Sequence, residues 1–151
     1  MASNTEVISA LNRLIETCRD GQEGFKTAAG GVRSAELKSL FHEYSQQRAR
    51  FVGELQQEVR RMGGEAEDAG SVSAALHRGW IGLKSALTGE DDGAILTECE
   101  RGEDAAVASY RSALGTDLPA NVRGVVERQF SEVKQAHERV RSLEEAGGAN
   151  A

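Results

Sequence analysis

Apolar residues recur at helical spacing through four long stretches of the chain, each about 24 to 30 residues, and through a shorter stretch of about 17. That period leaves few folds open. Glycine pairs and small polar clusters punctuate the pattern at Gly30-Gly31, from Gly63-Gly64 to Gly70, from Gly89 to Asp92 and from Gly115 to Asp117. At ~1.5 Å per residue the long stretches make helices of ~35 to 45 Å. Strands would want more aromatic and β-branched residues than a chain with 5% aromatics supplies, and Pro119 is the only proline. The expected fold is all-α.

The first helix should start at Ser3 or Asn4, where Ser3 and Glu6 have capping-box spacing, and run to about Ala29. The second runs from Ser34 to near Met62. A third, "SVSAALHRGWIGLKSAL", follows Gly70, and a fourth covers roughly Asp91 to Leu114. The last begins at Asp117 with Pro119 in its first turn, where a missing N–H costs little. Residues 1–146 then form one helical-bundle domain, with 147–151 as a disordered C-terminal tail. The long connection between the second and fourth segments carries its own short helix, and such a crossover lets two bundle helices run in the same direction.

A charge of −6 and a pI near 5.2 argue against a nucleic-acid or anionic-membrane surface, which needs excess Lys and Arg. Neutral or basic protein partners, or further copies of the chain, fit better; Val52 and Val107 lie beyond the core stripe and could form an oligomer face. No run approaches the ~18 apolar residues of a membrane span, and Met1 to Glu6 lacks signal-peptide character. The expected location is the cytoplasm. Cys18 and Cys99 fit reduced, buried thiols rather than a disulfide or zinc framework.

Advancing ~100° per residue sorts the polar side chains by face. The apolar stripes are Val7, Leu11, Leu14, Ile15, Cys18, Phe25 and Ala29 in the first helix, and Leu37, Leu40, Tyr44, Phe51, Leu55 and Met62 in the second. Arg48 falls near the middle of the second stripe, with Glu58 at its margin. In the fourth segment "ILTECERGEDAAVASY" places Glu98, Glu100, Glu103 and Asp104 close together. Glu103 lies inside the stripe formed by Ile95, Cys99, Ala106, Tyr110 and Ala113; Glu98 and Glu100 sit at its boundary, and Asp104 faces away. His137 falls inside the stripe of the last helix and Gln129 at its edge. A buried carboxylate requires a partner, so Glu103 should meet Arg48 or His137. The first choice makes a structural ion pair, the second part of a metal site.

His77, Trp80, Ile81 and Lys84 share one face of the third helix. They suit a small-ligand or partner site, or simply the anchoring of that helix by Trp80.

The segments "CRDGQEGF", "LHRGWIGLK" and "ILTECERGEDAAVASYRSAL" resemble a bacterial four-helix-bundle family of the ferritin-like superfamily, catalogued as a domain of unknown function. The resemblance covers about Asn4 to Leu143. It implies a ferritin-like bundle with a short extra helix in the crossover between bundle helices two and three, and suggests a stress-associated role.

Ferritin-like di-metal sites take one Glu from each of two helices and Glu-x-x-His from each of the other two. Here Ser39 precedes His42 and Lys134 precedes His137 at that spacing, so neither motif is present. No cofactor is expected, and a di-iron centre lacks ligands. The leading expectation is a non-enzymatic interaction module with a degenerate metal site. Its rival is a metal-binding or redox protein that holds one transition-metal ion on Glu103, His137 and Glu58.

Overall fold

The computed structural model describes residues 2–66, 79–89 and 91–150, with side chains to residue 146. The described residues form helices α1 (Asn4–Gly31), α2 (Ala35–Arg61), α3 (Leu83–Thr88), α4 (Asp92–Leu114) and α5 (Ala120–Asn150) and contain no strand. The four long ones make an all-α bundle.

Local chemistry sets the helix ends. The Ser3 hydroxyl accepts from the Glu6 N–H and donates to the Glu6 carboxylate, while Ser34 and Asp91 cap α2 and α4. Gly63, at φ +80°, terminates α2: its N–H bonds the Arg60 carbonyl and the Gly64 N–H bonds that of Val59. This Schellman arrangement satisfies carbonyls that the helix end would orphan. Arg123 reaches back to the carbonyls of Leu114 and Thr116 at 3.2 Å and closes the turn between α4 and α5.

Hydrogen bonds between helix ends define the topology. Asn4 and Asn12 on α1 bond the carbonyls of Met62 and Glu65, so α2 returns antiparallel to α1. Asp92 accepts from the backbone N–H groups of Arg33 and Ser34 at 2.8 and 3.0 Å, which starts α4 at the corner where α2 also starts. Consequently α2 and α4 run in the same direction, on opposite corners of the bundle. The connection between them spans the length of α2, and α5 returns antiparallel to α4.

The core has two apolar halves. One gathers Leu11, Leu14, Phe51, Leu55, Tyr110 and Val126; the other gathers Phe25, Phe41, Trp80, Ile95, Cys99 and Val140. In the second half Phe25 meets Phe41, Tyr44 and Trp80 at centroid distances of 5.7, 5.3 and 5.1 Å, the last edge-on.

Several boundaries differ from expectation. Where a continuous third helix is expected through "GWIGLK", Gly79, whose φ of +96° is left-handed, and Trp80 lie in a π-helical turn, Ile81 and Gly82 form a turn, and the α-helix runs Leu83–Thr88. Its expected first part, with Val72, Leu76 and His77, lies outside the described residues. The last helix begins after Pro119, not at Asp117, and continues through Gly147 to Asn150. Phe41 and Asp20, left off the apolar stripes, are buried. Val52 is buried as well, and Val107 is partly buried against the core.

Candidate functional site

At the middle of the bundle the two apolar halves meet a charged layer. Arg48, from α2, donates Nη1–H and Nη2–H to the two oxygens of Glu103, from α4, each at 2.7 Å. Both residues are essentially fully buried, at 1% and 0% exposure. Because α2 and α4 occupy opposite corners, this pair crosses the interior. Gly21 of α1 gives the guanidinium room, since a Cβ there would stand 3.0 Å from Nη1. The Arg48 guanidinium also lies 5.4 Å from the Phe25 ring centroid, a cation–π contact, and its Nε bonds Gln47 at 3.3 Å. Burial alone would lower the Arg48 pKa, but the Glu103 charge and hydrogen bonds outweigh it and hold the guanidinium above its ordinary value.

A second polar chain runs beside this layer and touches all four long helices. The Tyr110 hydroxyl donates to Gln129 Oε1 at 2.7 Å, while Gln129 Nε2 donates to Glu54 at 2.9 Å and to the Phe51 carbonyl at 3.4 Å. With its proton committed to Gln129, the Tyr110 oxygen is left to accept from the Cys18 thiol, 3.1 Å away. Burial pushes the Cys18 pKa up to about 11, so the thiol keeps the proton that this bond requires. Glu54 is held in turn by Arg128 at 2.7 Å. The expected edge residue Gln129 is thus central, fully buried and bonded on both sides.

The three residues proposed from the sequence as metal ligands are not brought together. Glu103 spends both oxygens on Arg48; Glu58 bonds Arg61 at 2.9 Å, nearer the end of α2; and His137 turns to the rim, where Nε2 meets Asp104 Oδ1 at 2.6 Å. Asp104, expected to face away, therefore faces α5. Among the described residues, the group able to surround one cation is Glu100, Asp104 and His137, whose ligand atoms all lie within 4.8 Å of one another. The neighbouring Glu144 carboxyl, then burial and the Asp104 charge, raise the Glu100 pKa.

The residues fit a di-metal centre poorly. A fixed guanidinium stands at the bundle centre, and the interior carboxylate beside it is fully hydrogen-bonded. A shallow depression of about 100 Å³ between α1 and α4, lined by Ala10, Arg13, Ser109, Ser112 and Ala113, is well below the ~300 Å³ typical of small-molecule pockets. No described helix is long and apolar enough to cross a membrane.

No curated protein matches the chain. A family model does match residues 6–116, from the first turn of α1 past the end of α4, and the chain belongs to that family, described as a domain of unknown function, DUF2383.

Proposed function

We propose that the protein is a non-enzymatic helical-bundle module, a cytoplasmic interaction or stress-associated protein on a degenerate ferritin-like frame. The observation that carries this reading is the bidentate Arg48–Glu103 pair at the bundle centre. Ferritin-like bundles place metals between inward carboxylates of four helices. Here an internal cation already balances the Glu103 carboxylate, and a second positive charge beside it would be repelled at short range. The arrangement of α1, α2, α4 and α5, with its single crossover, supports the ferritin-like frame; the stress association rests on the sequence resemblance alone.

The rival reading, one ion on Glu103, His137 and Glu58, would need Arg48 to release Glu103 and His137 to turn inward. Elemental analysis of untagged protein purified without chelator, followed by anomalous scattering from crystals, separates the two. No stoichiometric metal at the bundle centre is expected. Two transition-metal ions about 3.5–4 Å apart there would restore an oxidase reading, and a single ion on Glu103 would establish the rival.

A further inference from the structure

We draw no further inference here: the strongest candidate, the shallow cavity on the seam between α1 and α4, is a stripe of small residues beside one exposed arginine, and none of the polar side chains that line it, Arg13, Ser109 and Ser112, is buried and aimed into it.

Discussion

Arg48 and Glu103 meet across the bundle interior through two parallel hydrogen bonds of 2.7 Å, though they stand on helices that make little other contact. Desolvating both charges is expensive, and such pairs often contribute little net stability compared with a well-packed apolar replacement. Their effect on specificity is different. If α2 slipped by one turn against α4, both charges would be left buried and unpaired. The pair therefore favours the parallel arrangement of α2 and α4 that the crossover makes possible.

Trp80 is held in a slot that only glycine can line. A Cβ at Gly24 or at Gly102 would overlap the indole, which fits between α1 and α4 at 5% exposure. Gly102→Ala should displace the ring and cost about 1–3 kcal/mol, the range for overpacking. Trp80→Ala should cost about 3–5 kcal/mol. Chemical denaturation measures both, and as this is the only tryptophan, a red-shifted emission in Gly102→Ala would report the displacement directly.

Tyr110→Phe keeps the ring stacked against Phe130, where the centroids are 6.1 Å apart, but removes the hydroxyl between Cys18 and Gln129. Gln129 Oε1 loses its donor in a buried site. A loss of about 1–3 kcal/mol is expected, and denaturation midpoints of the variant check it. Tyr110→Phe combined with Gln129→Leu should recover part of that loss, since no acceptor is then stranded.

Both thiols should resist alkylation in the native state. Burial raises the Cys18 pKa from 9.0 to about 11 and that of Cys99 well above its ordinary value. The folded state thus binds protons that the unfolded state releases. The sign follows: this stabilisation is full below pH ~9 and is lost as pH rises toward 11, where a shift of about two units in Cys18 alone corresponds to on the order of 3 kcal/mol. Denaturation midpoints measured from pH 7 to 11 should fall above pH 9. Thiol titration should count two reactive cysteines only after unfolding.

The long helices were legible because their apolar period and caps agree, as at Ser3, Ser34 and Asp91. Arg48 and Glu103 were legible for a related reason: a charge in the middle of an apolar stripe has to find a partner inside. The seam between α4 and α5 was not. In projection His137 falls inside its stripe and Asp104 faces away from its own, yet the two meet, because which neighbour a residue reaches depends on the rotation of one helix against the next, which a single-helix projection omits. Phe41 and Asp20 were missed because bundle helices touch two neighbours, so their buried faces are wider than one stripe. The turn between Trp80 and α3 follows a left-handed residue, Gly79, which period alone does not reveal.

A double-mutant cycle on Arg48→Met and Glu103→Gln, read by equilibrium denaturation, tests the ion-paired centre most directly. Breaking a buried pair from one side costs about 3–5 kcal/mol, because the remaining charge is stranded. The account predicts that Arg48→Met, which strands Glu103, pays that penalty, and that the double variant is far more stable than the sum of the single losses implies, with a coupling energy at the upper end of the ~0.5–3 kcal/mol range for contacting residues. Additive losses would contradict it, and would mean that Arg48 and Glu103 do not close the centre of the bundle.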